Sequence, residues 1–134
     1  MSQEDVEVVE DAYEALAKAG LDQFVEHWSD DLDHRSIRGA PDDRGPIHGR
    51  DAMRAYVQDW MDTFDEFWIE PVELIDTGGG VVVGVVRYGG RAKLSGIELD
   101  ETFGVVFTIR DRKIARGREY ATRAEALEAV GLSQ

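Results

Sequence analysis

The 134-residue sequence has no cysteine. Disulfides, a thiolate nucleophile and cysteine-ligated metal are therefore excluded. The lack fits a reducing compartment, and the expected location is cytoplasmic. Positive charge is also short. Fifteen Lys and Arg stand against 28 Asp and Glu, a formal net charge of -13. A nucleic acid is not an expected partner, because phosphate binding needs clustered Lys and Arg. The acids are scattered and form no tail, so their first reading is solubility. No apolar run approaches the roughly 20 residues of a membrane span, and no membrane association is expected. Met1 to Asp5 offer no basic segment followed by an apolar run, so no signal peptide is expected either. Internal repeats and low-complexity tracts are missing.

What is present is enough for one core. Hydrophobic residues make up 43% of the chain, and its length is that of a single domain, 1–134. Val6, Val9, Tyr13 and Leu16 recur at helical spacing, predicting a helix over 3–19 that opens on a Ser2/Asp5 capping box and stops at Gly20. Leu21, Phe24, Val25 and Trp28 predict a second, over 22–29, with Asp22 as its cap. Residues 29–50 are charged, rich in Gly and Pro, and read as a long loop with one short strand near 33–37. Met53, Tyr56, Val57, Trp60, Met61 and Phe64 predict a strongly amphipathic helix over 51–63.

The period then changes. Segments 67–76, 81–88, 94–109 and 113–120 are rich in β-branched and aromatic residues and are separated by turn residues. They predict an antiparallel meander. Thr122 and Glu125 form a capping box for a last helix. Three helices, four strands and a short helix give an α+β fold, with helices grouped against an antiparallel sheet.

Several strings carry a resemblance. Val9 to Leu16, Gly20-Leu21-Asp22 and Asp30-Asp31 form one; Gly49 to Tyr56 another; Glu101-Thr102-Phe103 through Phe107 to Ile114 a third; Arg118-Glu119-Tyr120 with Arg123 to Ala129 the last. Together they resemble the SnoaL-like family of the nuclear-transport-factor-2-like superfamily, which includes ketosteroid-isomerase-like and polyketide-cyclase-like proteins. The resemblance covers nearly the whole chain. It implies a cone, a curved antiparallel sheet around helices and one pocket. The superfamily hosts several chemistries and non-catalytic binders on that scaffold, so it does not fix a reaction.

Four residues are candidates for chemistry. Tyr13 lies on the apolar helix face, where it is either a core tyrosine or a phenol donating into the pocket; the resemblance matches it to the oxyanion-hole tyrosine of ketosteroid isomerase. Glu101 matches that enzyme's neutral acid and alternates onto the face of Phe103, Val105 and Phe107, where burial would keep it protonated. The isomerase's aspartate base is matched by Ser36, which cannot replace it. His34, two residues earlier, is an alternative base. Glu119 shares a strand face with Ala115 and Gly117. A plain two-residue turn at Asp111-Arg112 would place Phe107 with Arg116, whereas a bulge would reverse that parity. Trp28, Tyr56, Trp60, Phe64 and Phe103 are the expected apolar lining.

No metal-ligand spacing, phosphate loop or nucleophile elbow occurs, so neither a metal nor a cofactor is expected. The expected function is a cofactor-free isomerase, cyclase or hydratase/dehydratase acting on a small apolar molecule; a non-catalytic binding or dimerising domain is the alternative. A homodimer through the sheet is expected, because many members of the superfamily pair there and because apolar residues alternate on both faces of 81–86 and 103–107.

Overall fold

Three acidic residues in a row of four, Asp30, Asp31 and Asp33, hide a strand. The structure, a computed structural model, describes residues 3–41 and 43–132. In it β1 runs from Trp28 to Arg35, with Trp28, Leu32 and His34 buried. The carboxylates between them are paired rather than looped out. Asp30 meets Arg50 at 2.8 Å, Asp31 meets Arg110 at 3.3 Å and Asp33 meets Arg118 at 2.9 Å. The long loop of the sequence reading is therefore shorter, and two strands, β1 and the two-residue β2 (Ile47–His48), precede the third helix.

The first two helices are α1 (Gln3–Ala19) and α2 (Leu21–Glu26). Val9, Ala12, Tyr13 and Leu16 are the buried stripe of α1. Ser2, half of the expected capping box, lies outside the described residues. Gly20 turns the chain between the helices with φ of 103° and donates to the Ala15 carbonyl. Asp22 does not cap α2; it pairs with Arg54 of α3 (Gly49–Asp62) at 2.6 Å. Met53, Tyr56 and Val57 bury the inner face of α3, with Trp60 and Met61 packed beside them.

The other strands are β3 (Phe64–Gly78), β4 (Val81–Ala92), β5 (Glu98–Arg110) and β6 (Lys113–Tyr120). The sheet has six strands in the order β2-β1-β6-β5-β4-β3. It is open, with β2 and β3 at its edges, and one neighbouring pair, β1 with β6, is parallel. The expected antiparallel meander is β3 to β6, and the parallel pair is added by β1. The long β3 loses register with β4 at three places, and such bulges bend a strand. Val82, Val86, Phe103, Val105 and Phe107 join the helices in the main core.

The opposite face carries α4 (Arg123–Ala129). Thr122 accepts from the Glu125 N–H at 3.1 Å, and Glu125 accepts from the Ala121 N–H at 3.1 Å, so the expected capping pair forms. Ala126 and Leu127 pack on Val83, beside Val106 and Ile75. Part of the apolar face expected to need a second copy is thus covered by the chain's own last helix. Among the described residues no helix is long and apolar enough to cross a membrane.

Candidate functional site

The β5–β6 hairpin decides where Glu119 points. Asp111 and Arg112 have φ of 53° and 64°, the left-handed pair of a two-residue turn. Arg110 then faces Lys113 and Ile109 faces Ile114, but Thr108 faces Arg116. Ala115 is the extra residue of a bulge. The bulge reverses the parity, so Phe107 stands opposite Gly117 and Val105 opposite Glu119. Paired residues in an antiparallel ladder share a face. Glu119 therefore joins the buried side of the sheet.

Among the described residues its carboxylate has two side-chain donors. His34 Nε2 lies 2.8 Å from Oε2, and the Tyr56 hydroxyl lies 3.2 Å from Oε2 and 3.3 Å from Oε1. Side-chain exposure is 3% for His34 and 9% for Glu119. The other histidine nitrogen, Nδ1, is buried without a hydrogen-bond partner among the described residues. It abuts Gly117, where a Cβ would collide with it. A buried N–H with no acceptor is costly, about 1–3 kcal/mol. The proton is therefore assigned to Nε2, with His34 donating and Glu119 accepting. Parallel pairing of His34 with Gly117 is what brings the ring this close.

Glu119 lines three spaces, of which a groove beside Arg38 and Arg118 is one; the other two bear on chemistry. One is an open cleft of about 690 Å³ between α3, the loop after β1 and the inner side of β4–β6. The other is an inner chamber of about 20 Å³, lined by Tyr13, His34, Val57 and Ile69 among others. That is room for one water molecule. The spaces share Tyr56, Trp60, Phe103 and Glu119. Burial, and secondarily the charge of Glu119, pushes the Tyr13 phenol well above its ordinary value. The phenol is thereby kept as a proton donor.

The loop that walls the cleft is held by Asp43. Its carboxylate accepts from Arg35 Nη2 at 3.1 Å, from the Gly39 N–H at 2.9 Å and from the Gly45 N–H at 3.0 Å. Arg35, followed by the two backbone donors, holds its carboxyl far below the usual carboxylate range. Arg44, on the same loop, pairs with Asp59 at 2.9 Å and sits 5.4 Å over the Tyr56 ring.

Of the four residues singled out for chemistry, Tyr13, His34 and Glu119 line the inner chamber together. Glu101 does not join them. It shares the cleft side with Phe103, as alternation required, but it is exposed at the mouth. The acid turned inward is Glu119. Tyr56, Trp60, Phe64 and Phe103 line the cleft. Trp28 does not; it is fully buried behind His34, ring centroids 5.4 Å apart. Ser36 is buried beside Asp43, 3.5 Å from its carboxylate. Sequence reasoning missed Tyr56 as a donor, because its place on an apolar stripe suggested only packing. It also missed Asp43, whose Asp-Arg-Gly setting was a legible turn signal. Among the described residues no three His, Asp or Glu side chains converge as a metal site needs.

Comparison with known proteins is consistent with this architecture. The model of a family described as a SnoaL-like domain matches residues 9–117. Bal32a, from a soil-derived mobile gene cassette, superposes with a TM-score of 0.77 at 20% identity, covering 89% of each chain. A protein of ketosteroid-isomerase-like fold from Catenulispora acidiphila, in complex with trimethylamine, gives 0.72 at 16% identity over 94% of this chain and 93% of that one. RV0760c of Mycobacterium tuberculosis, in complex with estradiol-17beta-hemisuccinate, gives 0.73 at 11% identity over 90% and 94%. At these identities the likeness is one of fold. No curated protein matches the sequence closely enough to count as a relative.

Proposed function

The chain belongs to the SnoaL-like family, and on that footing we propose that it is an enzyme of general acid–base type, acting without a cofactor on a small apolar molecule in the cleft. Glu119 is the base. The carrying observation is its place, largely shielded at the junction of cleft and chamber with its carboxylate held by His34 and Tyr56. His34 has no nitrogen left for a substrate, since Nε2 serves Glu119 and Nδ1 is closed off by Gly117. It is a positioning residue. Tyr13 is the candidate acid, protonated by burial and facing the chamber that Glu119 also lines. Trp60, Phe64 and Phe103 take the apolar body of the substrate. Proton abstraction by Glu119, with Tyr13 donating to the oxygen that gains charge, is the step common to isomerisation, cyclisation and dehydration.

The reading extends to a homodimer through the sheet. Its footing is narrower than the valine pattern suggested, because α4 covers Val83; what supports it is the exposure of Trp68 and Val72 on the edge strand.

A neutral reporter of base strength tests the enzyme reading. Ring opening of 5-nitrobenzisoxazole needs only proton removal in an apolar site. We expect turnover above buffer, reduced about 100-fold or more in Glu119→Gln, the usual scale of a general base. Equal rates for both proteins overturn the role of Glu119 and favour the non-catalytic binding domain.

A further inference from the structure

The charge around the cleft is unbalanced. Among the described residues that line it are three carboxylates, of Asp59, Glu101 and Glu119, and one cation, Arg44. Arg44 is already engaged by Asp59 at 2.9 Å and by the Tyr56 face. Glu119 is held by the Tyr56 hydroxyl and by His34, whose buried Nδ1 lacks an acceptor and so carries no proton. Glu101 has no ion-pair partner among the described residues. The arginines nearest on the far side of Glu119 are bound elsewhere, Arg35 to Asp43 and Arg118 to Asp33. Arg38 lines a neighbouring groove that shares Ile37, Glu119 and Ala121 with the cleft, but it does not line the cleft itself.

The wall is aromatic. Trp60, Tyr88 and Phe103 form a triangle of ring centroids 4.9, 5.8 and 5.8 Å apart. An aromatic face attracts a cation through its quadrupole, and a cleft lined by one sign of charge concentrates the opposite sign. An entering carboxylate would meet two carboxylates with no cation to offset them. An entering ammonium would meet the same two as partners. Taking the cleft beside Glu119 as the binding site, we propose that it selects an apolar molecule bearing an amine or quaternary ammonium group and rejects carboxylate or phosphate counterparts. The cationic end lies toward Glu101 at the mouth, and the apolar body lies against Trp60 and Phe103.

Three probes of similar size test this: benzyltrimethylammonium, benzyl alcohol and phenylacetate, each titrated into the full chain and followed by amide and indole NMR shifts. The expected order is cation, neutral, anion, with about a fivefold gap in Kd for each charge contact, the scale of one close pair in high dielectric. Glu101→Gln should weaken the cation about fivefold and relieve the anion by about the same factor, narrowing the gap between them about 25-fold. Phenylacetate binding as tightly as the cation overturns the inference while leaving Glu119 and its cleft intact. If none of the three shifts residues of the cleft at millimolar concentration, the cleft is not a ligand site and both readings fall.

Discussion

Glu119, His34 and Gly117 make a three-residue unit in which the smallest member sets the geometry. The ring of His34 rests on the Gly117 backbone, and its far nitrogen reaches Glu119. Gly117→Ala should push the ring aside. We expect about 1–3 kcal/mol lost in urea unfolding, the usual cost of overfilling a packed site, together with loss of benzisoxazole turnover. Unchanged stability and turnover would sink this account. Tyr13 gives a pH signature. Its phenol is raised above the ordinary value near 10. The unfolded chain releases that proton first, so the stability Tyr13 contributes is whole below about pH 10 and declines as pH rises beyond it. Wild type should therefore lose more stability than Tyr13→Phe between pH 9 and pH 11. Parallel curves for the two proteins would show that the phenol ionises as freely folded as unfolded.

Two elements frame the site and can be loosened separately. α4 is seven residues long and depends on its cap and on Ala126 and Leu127 to stay on the sheet. Thr122→Ala removes the acceptor for the Glu125 N–H and should cost about 1 kcal/mol, measurable as a lowered urea midpoint with the cleft unaffected. The loop after β1 depends on Asp43 in the same way. Its carboxylate gathers Arg35 and two backbone donors. Asp43→Ala should make trypsin cut faster at Arg38 and Arg44, while the rest of the fold resists. Cleavage at the wild-type rate would mean that the loop is held by something else. Asp43 is also a lowered acid. Its contribution is present above the unfolded carboxylate value near 3.9 and is lost as pH falls below it, so the two proteins should converge in stability at strongly acid pH.

At the scale of the molecule, charge and apolar surface oppose each other. The chain carries a net charge of -13, yet Trp68, Val72, Leu94 and Ile97 are exposed. If two copies pair, salt should tighten the pair, since screening shortens the reach of repulsion to about 8 Å at physiological ionic strength. The expected species is a dimer of about twice the 15.0 kDa chain. Light scattering at micromolar concentration and 0.15 M salt decides it, and a monomer mass there removes the dimer from the proposal.

The local elements could be read from the order of residues alone. Apolar period, turn residues and the Thr122/Glu125 box each act within a few residues of chain, so α1, α3, β3 to β6 and α4 were legible from neighbours alone. β1 was legible only at its end, near 33–35, because acids written as loop residues become strand residues once distant arginines neutralise them, and Arg110 and Arg118 lie about 80 positions away. The site follows the same division. Tyr13, His34 and Glu119 were visible as candidates, and so was the dependence of Glu119 on a bulge. Which acid turns inward depended on tertiary contacts. The extra residue at Ala115 turns Glu119 inward, the parallel pairing of β1 with β6 sets His34 against it, and α3 adds the Tyr56 hydroxyl. Glu101, on the right face, stays in water because alternation fixes a side of the sheet but not the depth at which the helices cover it.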